Sequence, residues 1–188
     1  MQDFFFYLKL GWEHIISLDA LDHQLFILAL ISAYSFKDTK KLLFLVTAFT
    51  IGHCITLVLS SFNIIRISSK WVEFLIPCTI VITAMDNILF KGKHRYNYYF
   101  ALFFGLIHGM GFANTARMMI AREQSITLPL LGFNIGLEIG QIVVVFIILS
   151  IYFFLSKLSK LSQRDWLLIT SSAAGALSLQ MALERQPF

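Results

Sequence analysis

Charge is the first thing this sequence has little of. Only 14% of its 188 residues are Asp, Glu, Lys or Arg, against roughly 25% in an ordinary soluble domain. Cysteine is scarcer still. Cys54 and Cys78 are the only two, both inside apolar stretches, which excludes a disulfide framework and leaves them as small buried hydrophobes. A Gly-rich phosphate loop and a GxSxG elbow are missing too, so nucleotide-driven transport by this chain alone is not expected. No Pro/Gly-rich linker divides the chain, which reads as a single integral membrane domain over 1–188. The opening "MQDFFFYLKL" lacks a basic leader and a small-residue cleavage site, and is not expected to be a cleaved signal peptide.

What is present is hydrocarbon: 57% of residues are hydrophobic and 15% aromatic. A soluble helical domain of this size has too much surface to hide so many Phe, Leu and Ile side chains. Six apolar segments stand near the ~20 residues that cross a bilayer: about Ile15 to Tyr34, Lys41 to Phe62, Trp71 to Phe90, Tyr98 to Ile120, Leu128 to Leu155 and Trp166 to Leu183. The expected fold is an all-α polytopic membrane helix bundle of about six transmembrane helices, its short connections making consecutive segments antiparallel neighbours. The net charge of +4 does not point to nucleic acid, because the basic residues are scattered over the connections. They act as topology signals instead. Nine lie on the side of "SFKDTKK", "KGKHRYN" and "SKLSKLSQRD" and six on the other, which places both termini outside the cytoplasm.

Polar groups recur within these apolar segments, where an ionised carboxylate costs several kcal/mol unless it faces the bundle interior, pairs or binds a ligand. Asp19, Asp22 and His23 share one face of the first helix at i, i+3 and i+4, with His14 further back near the entrance. The second segment carries His53 beside Thr47, Thr50 and Cys54, the third Glu73, Pro77 and Asn87, and the fourth His108 among Gly105, Gly109 and Gly111. In the fifth, Asn134, Glu138 and Gln141 form one polar stripe beside Gly132, Gly136 and Gly140. Small residues four apart let helix backbones approach closely, and isolated polar groups such as Thr47, Thr50 and Asn87 serve as interhelical hydrogen-bond glue. The combination of His23, His53 and His108 with Asp22 and Glu138 goes further. Neutral imidazoles suit zinc, copper, iron and nickel, and carboxylates orient the rings. No Lys or Arg lies within the apolar centres, so a cation from outside, metal ion or proton, is the expected partner.

At this point the sequence resembles the HupE/UreJ family of small membrane proteins. The resemblance is carried, in order, by "GWEHI…LDHQLFILAL", "LVTAFTIGHCITLVL", "VEFLIP", "FGLIHGMGFA" and "FNIGLEIGQ". It implies transport or accessory handling of nickel, often for hydrogenase or urease, and hence metalloenzyme maturation proteins as partners in a bacterial inner membrane. It maps the family's His and acidic positions onto His14, Asp22, His23, His53, Glu73, His108 and Glu138. The stretch "HIISLDALDH" is longer than the family commonly shows, with Leu18 and Asp19 where a Gly is expected; Asp19 thereby becomes a candidate additional ligand.

Three readings follow. The first is a secondary permease for a divalent transition metal, with Asp22, His23, His53 and His108 as central site, Glu138 helping, and His14 and Asp19 gathering ions at the entrance. Glu73, Asn134 and Gln141 are supporting polar groups. Nickel is favoured by the resemblance and zinc is the alternative. The second is an intramembrane zinc hydrolase, in which three histidines hold the metal and Asp22 or Glu138 acts as general base. The third is a non-transporting membrane subunit whose polar groups only specify packing. Which metal moves, in which direction, and in what oligomer are not legible in the sequence.

Overall fold

A computed structural model describes residues 2–17, 20–90, 97–112 and 127–188. The described residues form helices with no strand: α1 Gln2–Ile16, α2 Leu21–Ile31, α3 Thr39–Ser61, α4 Ser69–Phe90, α5 Asn97–Gly111, α6 Thr127–Leu158 and α7 Gln163–Glu184. Four of them, α3, α4, α6 and α7, are long and apolar enough to cross a membrane, and α1 with α2 makes a fifth where the bent pair is counted as one span. The shorter apolar helix α5 lies in the fourth expected segment, whose part beyond Phe112 is outside the described residues.

The first expected segment is not one helix. "QDFFFYLKL" opens α1, and the chain bends by 69° before α2. A break inside hydrocarbon strands the last carbonyls of α1, which lipid cannot satisfy. Gln24 answers this need: its Nε2 donates towards the carbonyls of Ile15, Ile16 and Ser17 at 3.0–3.3 Å.

Consecutive helices are not the main neighbours either. The closest pairs are α3 with α5, α1 with α6, and α4 with α7. Glycine decides two of these seams. A Cβ on Gly52 would strike the Leu102 carbonyl, one on Gly105 the Phe49 carbonyl, and one on Gly109 the His53 carbonyl. Along α1 and α6, Gly11 meets the Phe133 carbonyl, while Gly136 meets the Leu8 carbonyl in return. Backbone contact of this kind replaces the hydrophobic drive that lipid does not supply between helices. The contacts also fix direction. Phe4 lies beside Gly132 and Ile15 beside Gly140, so α1 runs parallel to α6, and its start lies at the same end of the bundle as the start of α6.

The α2, α4 and α7 faces meet through buried polar groups. Asn87 Nδ2 donates to the Ala29 carbonyl at 2.6 Å and contacts Ser32 Oγ and Ser171 Oγ at 3.1 and 3.2 Å. This is the interhelical glue expected of Asn87. Pro77 sits inside α4, with Thr79 and Thr83 hydroxyls donating back to the Ile76 and Thr79 carbonyls.

Candidate metal centre

The α1–α2 break and the glycine seams bring four imidazoles together. His14 stands near the end of α1, His23 at the start of α2, His53 in α3 and His108 near the end of α5. The His14 and His23 ring centroids are 4.8 Å apart, His23 and His108 5.1 Å, and His53 lies 6.4 Å from both His14 and His23. One nitrogen from each of His14, His23 and His53 can be chosen so that all three lie within 4.8 Å of one another. His14, expected at the entrance, is therefore part of the cluster itself.

Hydrogen bonding orients two of the four rings, those of His23 and His108. Asp22 Oδ1 accepts from the His23 backbone N–H at 2.8 Å and lies 2.9 Å from His23 Nδ1. The Nδ1 of His108 is 2.8 Å from the Phe104 carbonyl. An acceptor at Nδ1 holds the proton there and leaves the Nε2 lone pair free, the arrangement that orients metal-binding histidines. The Nε2 atoms of His14, His23, His53 and His108 are all buried with no hydrogen-bond partner among the described residues. A buried polar atom without a partner costs about 1–3 kcal/mol, and four in one cluster ask for a common ligand. Beside His53 stands Asn134, whose amide donates to the Leu130 carbonyl at 2.8 Å while its Oδ1 has no partner among the described residues.

Aromatic rings wall the cluster. Phe112 stacks on Phe133 at 4.5 Å, Phe112 also packs on His14 at 4.7 Å, and Phe49 lies 5.1 Å from His108. Beside Phe112 a cavity of about 390 Å³ leads to His14, His23 and His108, with Glu73 and Arg185 on its walls. This vestibule is lined where α4 begins and where α1, α5 and α7 end, so the end of α7 lies at the vestibule end of the bundle.

Two expected members are elsewhere. The Glu138 carboxylate accepts from Thr47 Oγ1 at 2.6 Å, and Gln141 Oε1 accepts from Thr50 Oγ1 at 2.9 Å. Both pairs join α3 to α6, which is the packing role expected of Thr47 and Thr50, and neither Glu138 nor Gln141 lines the vestibule. Glu73 lines it but is exposed. Asp19 falls outside the described residues.

No Lys or Arg was expected within the apolar centres, but a basic side chain from outside them meets Asp22. Arg185, from just past the end of α7, places Nη1 3.3 Å from Asp22 Oδ2. Sequence reasoning missed Gln24 as well. Its signal was an amide directly after Asp22–His23 in an otherwise apolar run.

A membrane bundle with a broken first span and a buried imidazole cluster at the break is built like a cation-handling integral membrane protein, since such breaks commonly form substrate and ion sites. The chain belongs to the HupE/UreJ family: the family model described as HupE / UreJ protein matches residues 1–185. No curated protein and no solved structure matches it.

Proposed function

We propose that this protein is a secondary permease for a divalent transition metal, with nickel the first candidate cargo and zinc the alternative. The observation that carries the reading is the convergence of His14, His23 and His53, one ligand nitrogen from each within 4.8 Å of the others. His108 and Asp22 complete the set, with Asp22 acting through His23 as well as by its charge. Imidazole and carboxylate suit borderline metals. Binding by neutral nitrogens is also weak enough to permit release, which a thiolate cage is not. Cys54 and Cys78 are both free and have no part in the site.

Topology supports a reading of the direction of movement. The excess of basic residues on the connections opposite the termini puts the termini outside the cytoplasm. The vestibule opens at that same end of the bundle, which supports an uptake reading across a bacterial inner membrane. Metalloenzyme maturation proteins are then the partners that receive the metal.

The test is flux of nickel, cobalt, zinc, iron and copper into proteoliposomes holding wild type or His23→Ala. Saturable flux of at least one of these metals, lost in the variant while the protein remains folded, is expected. Equal flux from the two proteins contradicts the reading. Absence of flux together with tightly held, near-stoichiometric zinc in wild type would favour the hydrolase.

A further inference from the structure

The vestibule contains a cation of its own. Asp22 divides its two oxygens: Oδ1 fixes the His23 ring, and Oδ2 faces the Arg185 guanidinium at 3.3 Å. The Asp22 side chain is 14% exposed and that of Arg185 34%, so the arginine stands on the outer side of the pair. Arg185 lines the same cavity as His14, His23 and His108, and an ion approaching those rings from the vestibule meets the guanidinium first. The Glu73 carboxylate stands on the wall of this cavity, and no ion pair within 4.0 Å involves it among the described residues. The segment after Arg185 is tied to the same helix as Glu73, because the Phe188 ring meets Trp71 of α4 edge-on at 5.5 Å.

We infer that Arg185 is a tethered counter-cation that sets the metal affinity of the cluster: it neutralises Asp22 until a divalent ion arrives, and the ion displaces it towards Glu73. This rests on the permease reading of the same imidazoles. A divalent ion on the imidazole Nε2 atoms and the guanidinium repel one another across Asp22, so binding of the ion weakens the Arg185–Asp22 pair and favours its opening. The pair thereby weakens metal binding, and its re-formation on Asp22 favours departure of the ion. A permease needs both. Glu73 offers the displaced guanidinium a second carboxylate and limits the penalty. An arginine suits this role because it cannot be deprotonated and is more weakly hydrated than an ammonium.

The experiment is nickel titration, by calorimetry, of the full chain in lipid nanodiscs. Wild type is compared with Arg185→Gln, Arg185→Ala, Arg185→Lys, Glu73→Gln, the double variant Arg185→Gln/Glu73→Gln, and His23→Ala. Removing the arginine charge is expected to lower Kd about fivefold, the upper order of one partly exposed ion pair, while Arg185→Lys stays within about twofold of wild type. Glu73→Gln is expected to raise Kd a few-fold in the wild-type background and to change nothing once Arg185 is Gln. A gain in affinity cannot come from misfolding, so it separates this role from a merely structural one. Unchanged or weaker binding in both Arg185→Gln and Arg185→Ala, beside a loss in His23→Ala, would overturn the role of Arg185 and leave the permease reading standing. Equal weakening by Glu73→Gln in both backgrounds would make Glu73 a ligand and overturn the displacement. Absence of nickel binding by wild type would overturn the cation site and this inference with it.

Discussion

Replacing Gly105 by alanine tests the seam on which the metal centre depends. A Cβ at this position lands 2.9 Å from the Phe49 carbonyl carbon and 3.1 Å from its Cα, and closer still to the carbonyl oxygen. Carbon atoms rest at ~3.5–4.0 Å, and backbone cannot rotate aside as a side chain does. The α3 and α5 axes must therefore part by about 1 Å. Overpacking of this kind costs ~1–3 kcal/mol, offset by up to ~1 kcal/mol of gained helix propensity. The net expectation is a loss of ~1–2 kcal/mol, or about 2–8 °C in Tm for a domain of this size. Gly111→Ala on the same helix is the control. Its Cβ would meet the Ile76 Cδ1 methyl at 3.0 Å, a group that can shift, so Tm should stay level or rise. The assay is thermal unfolding in one detergent, followed by circular dichroism. If Gly105→Ala melts with or above Gly111→Ala, the close approach of α3 and α5 is wrong. The proximity of His53 to His108, which that approach creates, falls with it.

Three further outcomes are expected. Asp22→Asn keeps the size of the side chain but removes the charge and weakens the lock on His23, so nickel affinity should fall 10–100-fold, the range found for groups that orient metal ligands; titration of the purified protein checks this. Gln24→Leu deprives the α1 end of its amide and should lower stability by about 1–3 kcal/mol, read as a Tm shift, with nickel affinity falling because His14 and His23 lie on either side of the break. Glu138→Gln preserves the link to Thr47 and should leave nickel affinity within about twofold, since the carboxylate is engaged outside the cluster; a tenfold loss would return Glu138 to the ligand set.

How far the sequence carries this account depends on the range of each interaction. The apolar segments are local, and each corresponds to a helix or broken helix, because lipid permits little else of an apolar run. The glycine spacing of Gly132, Gly136 and Gly140 correctly announces a backbone seam. Its partner was hidden in "MQDFFFYLKL", which reads as a flank because its aromatic residues precede Lys9 and Glu13 rather than another long apolar run. The break before α2 was hidden for a similar reason: Ile15 to Tyr34 is continuous in hydropathy, and only the Gln24 amide marks the place where carbonyls need a donor. Asn134, Glu138 and Gln141 do share a face, but a face of α6 is broad enough to serve two neighbourhoods. Asn134 stands beside His53, while Glu138 and Gln141 bond Thr47 and Thr50 further along. The Asp22–Arg185 pair joins residues 163 positions apart, and no periodicity brings such residues together.

The central claim, that the buried imidazoles form one metal site, is tested most directly by X-ray absorption at the nickel edge on stoichiometrically loaded protein. The account predicts the multiple scattering of about three imidazole rings around each nickel, with at least one ring lost in His53→Ala. A first shell of oxygen alone, unchanged by that substitution, would place the metal on exposed carboxylates and contradict the account.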